Sequence, residues 1–297
     1  MQQPLISVAL CTYNGEKYIA EQLDSIISQT YKNLEIIVID DCSIDRTFEI
    51  VSAYASRDSR IKCFKNTVNL GFNKNFEKTI TLTTGDYIAI SDQDDIWLPE
   101  KLQLLSEHVG DNWLIFSNSD FINNTDGYKL VNDFKLPSDY KGILLFNYVT
   151  GHTTLISREF LKSVLPFPDD GYYDWWLGFV ASYHHKIAFL DEVLTSHRVH
   201  ADSVIKKRQD LNRAELEEYE TVSIMLCNFV NYKSIKPEDK IFLERLQQAY
   251  LLKASKSSGP LAKMVYKYYP QLFPNQKSRE LLTRFFFALR FSKKINS

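Results

Sequence analysis

Gly85-Asp86-Tyr87-Ile88-Ala89-Ile90-Ser91-Asp92-Gln93-Asp94-Asp95-Ile96-Trp97-Leu98-Pro99 is the stretch on which the reading of this chain turns. The run Tyr87 to Ile90 has the length and bulk of a buried strand. It leads straight into three carboxylates within four residues. Like charges this close repel, so the cluster calls for a counter-charge. Carboxylate oxygens suit a hard divalent cation, Mn²⁺ or Mg²⁺, and ligands in open α/β sheets sit at strand ends. The stretch therefore leads us to expect a metal site that holds a phosphate-bearing substrate.

The segments around it repeat the pattern. Leu5 to Cys11 and Leu34 to Ile39 are short apolar runs, and Ile61 to Lys65 reads as a third strand. Between them, Glu16 to Gln29 and Arg46 to Ser56 carry apolar residues at helical spacing, as does Phe76 to Thr84 before the opening strand. Strands alternating with helices over short connections imply a mostly parallel, Rossmann-like sheet flanked by helices, an α/β fold. Parallel strands bring their carboxyl ends together. Thr12-Tyr13-Asn14, Asp40-Asp41 and Asp92-Gln93-Asp94-Asp95 should then converge in one crevice, with an aromatic and a carboxylate for a nucleobase and a metal for phosphates.

Bulk composition sets limits. The 297 residues are 44% apolar and 24% charged, with a formal net charge of -2, so nothing global points to nucleic acid. The charge is uneven: Lys253 to Ser297 holds ten Lys/Arg against one acid, Glu280. Four cysteines without CxxC spacing read as reduced thiols, and the start shows no secretory signal. The expected location is cytoplasmic, with peripheral attachment to the inner face of the cell membrane as an option. No apolar run is long enough to span a bilayer.

Three motifs in order, Ser7-Val8-Ala9-Leu10-Cys11-Thr12-Tyr13-Asn14, Val38-Ile39-Asp40-Asp41-Cys42-Ser43-Ile44-Asp45-Arg46-Thr47 and Gly85 through Pro99, resemble glycosyltransferase family 2. The resemblance covers about the first two-thirds of the chain. It implies the A-type glycosyltransferase fold, a nucleotide-sugar donor, a divalent cation and inversion at the anomeric carbon. It places Tyr13, between Thr12 and Asn14, against the nucleobase. Asp41 would accept from the imide nitrogen of uracil or thymine. Asp94 would be the direct metal ligand, with Asp92 on ribose or metal. Asn69, Gly71 and Asn75 lie in the loop that often touches the donor in that family.

Further along, Trp113 to Asn118 and Lys186 to Glu192 read as strands, and Asp120 to Asp139 as a polar excursion. Thr150 to Ile156 resembles the family's acceptor-side strand; its His152 would either touch the acceptor or sit as a satisfied core histidine. Asp169-Asp170-Gly171-Tyr172-Tyr173-Asp174-Trp175-Trp176-Leu177 is the second informative stretch. The resemblance puts the general base at a helix start here. Asp174 fits, with Trp175 and Trp176 behind it and Trp175 on the acceptor side; Asp169-Asp170-Gly171 reads as a plain turn. Asp174-Trp175-Trp176 looks like members described as rhamnosyltransferases, which points to a dTDP-sugar beside a UDP-sugar. Ser196-His197-Arg198-Val199-His200 resembles the family's closing loop, in which Arg198 would offset diphosphate charge and His200 would either complete the metal shell or hold the loop over the donor. Asp45 and Asp95 read as helix caps, with Asp95 alternatively orienting Lys101.

Residues 206–297 read as a helical, basic extension after a catalytic region of residues 1–205. The segment from Arg279 to Ile295 is basic and apolar. It could lie in a membrane interface, where a lipid-linked glycan acceptor would be at hand, pack on the protein, or form a dimer contact. Two other functional classes stay open at this level. One is a nucleotide-sugar-binding module without catalysis. The other is a nucleotidyltransferase, which the glycine-poor turn Thr12-Tyr13-Asn14-Gly15-Glu16-Lys17 disfavours.

Overall fold

In the computed structural model, residues 3–122, 134–198, 211–254, 259–276 and 280–293 are described. They form two compact units. The first comprises 1–132, 149–169 and 184–200, and the second 133–148, 170–183 and 201–297. This division differs from a cut between residues 205 and 206. Segments 133–148 and 170–183 group with the C-terminal helices because their apolar and aromatic side chains pack there.

The first unit is built on one eight-stranded sheet in the order β3-β2-β1-β4-β7-β6-β8-β5. Its elements are β1 (Ile6–Thr12), α1 (Ile19–Ile27), β2 (Leu34–Asp40), α2 (Thr47–Ala55), β3 (Ile61–Lys65), α3 (Phe72–Leu82), β4 (Tyr87–Ser91), β5 (Ile96–Trp97) and α4 (Lys101–His108), followed by β6 (Leu114–Ile122), β7 (Thr154–Ser157), α5 (Leu161–Val164) and, after the segment belonging to the second unit, β8 (Ile187–Arg198). The β3-β2-β1-β4 half is wholly parallel. The other half mixes antiparallel pairs with the parallel pair β6–β8.

β1 and β2 are buried along their whole length, which is why they read as continuous apolar runs rather than as alternation. Their polar interruptions face one another: Ser7 is in register with Glu35 and donates to its carboxylate at 2.6 Å. Glu35 also accepts from the Thr84 backbone, the Thr84 hydroxyl and the Gly85 amide, tying the approach to β4 into the sheet. Gly85 is required there, since a Cβ would collide with the Leu5 carbonyl and the Ser7 backbone. α1 turns Ile19, Leu23 and Ile26 onto this core.

Chain order reverses at β1. The chain moves outward through β2 and β3, then returns to place β4 on the other side of β1. The carboxyl ends of β1 and β4 therefore flank a switch point, where ligand crevices form in such sheets.

Several elements differ from the sequence expectation. α3 starts at Phe72, with Gly71 at its N-cap in a left-handed conformation (φ 78°), so Asn75 is helical. β8 runs on through His197 and Arg198, so these residues are strand rather than loop. β6 extends to Ile122, and 123–133 lie outside the described residues.

The second unit is helical: α6 (Tyr173–Tyr183), α7 (Leu211–Val230), α8 (Pro237–Leu251), α9 (Gly259–Lys267), α10 (Tyr269–Leu272) and α11 (Leu281–Phe291), with a 3₁₀ turn at Tyr140–Ile143. Phe179 stacks on Phe229 at 4.1 Å. The hydroxyls of Tyr140 and Tyr183 donate to the two oxygens of Asp239, each at 2.8 Å. Among the described residues no helix is long and apolar enough to cross a membrane.

Candidate active site

At the end of β1 the chain turns through Asn14, whose φ of 49° is left-handed. The Asn14 side chain accepts from the Ile44 amide, and its own amide donates to the Ser43 hydroxyl. Thr12 donates to Asp40, which is buried and also accepts from the amide and hydroxyl of Ser43. These bonds lock the ends of β1 and β2 together. The Tyr13 side chain is left 48% exposed above them. Asp45 links Thr47, at the start of α2, to the Glu16 amide, close to the capping role expected of it.

Gln93, between the two aspartates of the pair, was not singled out by the sequence. Its amide grips the Tyr13 backbone at both ends: Tyr13 N–H donates to Gln93 Oε1 at 2.7 Å, and Gln93 Nε2 donates to the Tyr13 carbonyl at 3.0 Å. The turn carrying the exposed aromatic and the turn carrying the carboxylates are thus one hydrogen-bonded piece. Gly15 is part of it, since a Cβ there would overlap the Gln93 amide.

Asp41 lies at the same edge but is buried. One oxygen accepts from Asn66 Nδ2 and the Leu70 amide, the other from the Gly71 amide, at 2.8 to 2.9 Å. Here its carboxylate holds the 66–71 loop. Asn69 accepts from the Gly71 amide. Asn75 bridges Asn66 and the Ile39 carbonyl and is buried, so it braces the sheet end instead of facing a crevice.

The three carboxylates after β4 separate by environment. The Asp92 side chain is 40% exposed, Asp94 is half-buried, and Asp95 is fully buried. Asp95 caps no helix, contrary to expectation, and it meets Lys101 through charge, while its hydrogen bonds go elsewhere. Its Oδ1 accepts from His197 Nδ1 at 2.8 Å and from the Arg198 amide. The cause is strand register. β5 pairs antiparallel with β8, Ile96 opposite Ser196 and Trp97 opposite Thr195, and one step further sets His197 against Asp95.

His152 completes the cluster. Its ring stacks on His197 at 4.7 Å with 4° between planes, and its Nδ1 lies 3.8 Å from Asp95 Oδ2 and 3.9 Å from Asp92 Oδ2. Lys101, wholly buried, donates to the His152 carbonyl and to Thr195, with Nζ 3.8 Å from the centre of the Trp97 ring. Burial pushes the His152 pKa down to about 4, with His197 and Lys101 adding to the shift against the pull of Asp95. Burial would lower His197 too, but its bond to Asp95 and the three nearby carboxylates hold it above the ordinary value. Burial would raise Asp95, yet its histidine neighbours and the Arg198 amide hold it well below the carboxylate range.

This arrangement fits a divalent cation. Asp95 Oδ2 and His152 Nε2 are buried without hydrogen-bond partners. Asp95, His152 and His197 offer ligand atoms within 4.8 Å of one another, beside the more open Asp92. Carboxylate oxygens suit a hard divalent cation, and imidazole nitrogens are common metal ligands. His152 thus lies buried beside Asp92 with one ring nitrogen left without a hydrogen-bond partner. His200 lies outside the described residues. Arg198 is committed locally: it donates to the Asp94 carbonyl and to Glu21, and lies 4.9 Å from the Tyr18 ring centre.

In the second unit, Asp174 stands in the first turn of α6, as expected. It accepts from Asn147 Nδ2 at 3.1 Å and from the Trp175 amide at 2.7 Å. Trp175 is buried. It donates to the Ile143 carbonyl and meets Phe229 edge-on, which anchors the helix.

Residues 7–165 match the model of the family described as "Glycosyl transferase family 2". The chain belongs to glycosyltransferase family 2. As a member it is an enzyme that transfers sugars, which sets aside the non-catalytic and nucleotidyltransferase readings. This glycosyltransferase is 32% identical over 203 residues to the UDP-Glc:alpha-D-GlcNAc-diphosphoundecaprenol beta-1,3-glucosyltransferase WfaP of Escherichia coli, covering 67% of this chain and 79% of that one. It is 32% identical over 213 residues to glycosyltransferase MJ1057 of Methanocaldococcus jannaschii, covering 67% and 72%. In fold it is similar to S. aureus TarS 1–349, solved with UDP-GlcNAc, at a TM-score of 0.64 and 19% identity over 96% of this chain and 81% of that one. It is likewise similar to the mannosyltransferase PcManGT of Pyrobaculum calidifontis, solved with GDP-Man and Mn²⁺, at 0.61 and 17% over 98% and 87%.

Proposed function

We propose that this glycosyltransferase moves a hexosyl group from a uridine- or thymidine-diphosphate sugar to a hydroxyl of a glycan, with inversion, in cell-surface polysaccharide synthesis. The observation that carries the reading is the Tyr13–Gln93 clasp, which joins an exposed aromatic to the Asp92/Asp94 pair at the switch point. Tyr13 supplies a face for a planar base. Asp94 and Asp92 would hold a divalent cation, with Asp95 Oδ2 and the His152 ring, whose Nδ1 lies 3.9 Å from Asp92 Oδ2, behind them. When bound, that cation would offset the charge that grows on the departing nucleoside diphosphate. Asp174 takes the proton from the acceptor hydroxyl as that oxygen attacks the anomeric carbon.

A uracil donor draws support from the relatives: WfaP and WfgD of Escherichia coli are both described as UDP-Glc-dependent enzymes acting on a diphosphoundecaprenol-linked acceptor. A lipid-linked glycan is therefore the acceptor we favour, and rhamnose on dTDP is the other sugar to test, on the strength of Asp174-Trp175-Trp176. The test is a panel of UDP-, dTDP- and GDP-sugars with Mn²⁺ or Mg²⁺, read by nucleoside diphosphate release and thermal shift. Release and stabilisation with a uridine or thymidine sugar are expected. Response to GDP-sugars alone, or to none, overturns the reading.

A further inference from the structure

We propose that α11 seats this protein on an anionic membrane surface. At 100° per residue, Leu281, Leu282, Phe285, Phe286 and Leu289 fall on one side of the helix, and all five are exposed: Leu281 by 67%, Leu282 by 71% and Phe286 by 64%. The opposite side holds the helix in place. Phe287 meets Tyr269 and Phe273 edge-on and Phe291 meets Phe273, while Ala288, at the edge of the row beside Leu281, is buried. The exposed row is therefore not core that has failed to pack. Five large apolar side chains on one face of a helix are more than a water-facing surface ordinarily carries.

Charge selects the occupant. Arg290 and Lys293 are exposed beside the row, and α9 turns Lys263 and Lys267 outward on the same face as Tyr266. The Tyr266 ring meets Phe285 at 6.3 Å, so the basic face of α9 and the apolar face of α11 adjoin. Glu280 is the single acid from Lys253 to Ser297. An apolar row bordered by cations matches acyl chains beneath anionic headgroups. A second copy of this chain fits poorly, because a two-fold contact would bring the same lysines and arginines against each other. No described helix spans a bilayer, so α11 would lie in the interface plane. This inference stands on α9 and α11 and does not depend on the donor or the acceptor.

The test is co-sedimentation of the full chain with vesicles of phosphatidylcholine, alone or with phosphatidylglycerol added. Binding is expected only with phosphatidylglycerol, weakening as salt rises. Phe285→Ser with Phe286→Ser should lower partitioning at least about tenfold, and Lys263→Glu with Lys267→Glu should lower it as well. A Leu282→Trp variant should shift its emission to the blue on adding the anionic vesicles. Absence of binding, binding indifferent to the phenylalanine changes, or an unshifted tryptophan overturns the proposal. So does a dimer in gel filtration with light scattering that the same changes dissolve while vesicles fail to bind.

Discussion

Gln93 is the residue whose importance only its contacts reveal. It sits between two aspartates that draw attention by charge, yet it is what joins them to Tyr13. Replacing it with alanine removes two hydrogen bonds to one backbone unit, each worth about 1 kcal/mol. The donor KM of Gln93→Ala should rise about tenfold with kcat within about twofold; an unchanged KM would show the clasp to be incidental. The neighbouring carboxylates should respond differently to loss of charge. Asp94→Asn should weaken Mn²⁺ binding in calorimetric titration and lower kcat/KM at least ~100-fold, with little effect on stability. Asp95→Asn leaves His197 without its charge partner in a buried setting and should cost about 3 kcal/mol in urea unfolding. If the two effects were exchanged, the division of labour drawn from burial would be wrong.

Among the elements, the junction of β1, β2 and the approach to β4 hangs on Glu35. Burial alone would raise its pKa, but hydrogen bonds from Ser7 and Thr84, with Lys62 nearby, outweigh that and hold it below the ordinary value. A carboxylate depressed in this way contributes stability above its unfolded pKa of about 4.3 and loses it as pH falls through the lower, folded value. Urea stability should therefore drop as the solution is acidified through that window, and Glu35→Gln should flatten the drop. An identical pH dependence in the variant would remove Glu35 from the account. At this scale much was legible in advance. β1, β2 and β4 are mostly apolar runs with turn chemistry at their ends, and β3 is a short strand between two turns. The start of α3 and the length of β8 were not legible, because Gly71 at an N-cap and the pairing of Thr195–Arg198 depend on what lies opposite.

For the whole molecule, the donor-side residues and the proposed base belong to different compact units. Asp174→Asn should therefore leave the thermal shift caused by donor intact while transfer falls by about 10²-fold or more. Transfer near the wild-type rate would assign the proton to another group. The boundary expected near residue 205 marked a change of composition, from strand–helix alternation to long helices. The compact units instead follow packing: α6 and the Tyr140 turn join the C-terminal helices through Phe179, Phe229 and the Asp239 clamp.

The sequence by itself determined the α/β alternation, the convergence of three polar strand ends and the family, because apolar periodicity and short motifs are local properties. It also marked Asp174 at a helix start and the basic, apolar tail. Only the tertiary structure decided which carboxylate is which. Asp92, Asp94 and Asp95 are alike as letters, but the antiparallel register of β5 and β8 buries Asp95 against His197, while Asp92 stays partly open and the Asp94 carbonyl takes Arg198. It decided too that the Asp41 carboxylate takes up the 66–71 loop, that Asn75 braces the end of β2, and that α11 turns its apolar face outward. Those outcomes depend on neighbours far away in the chain, which spacing alone does not show.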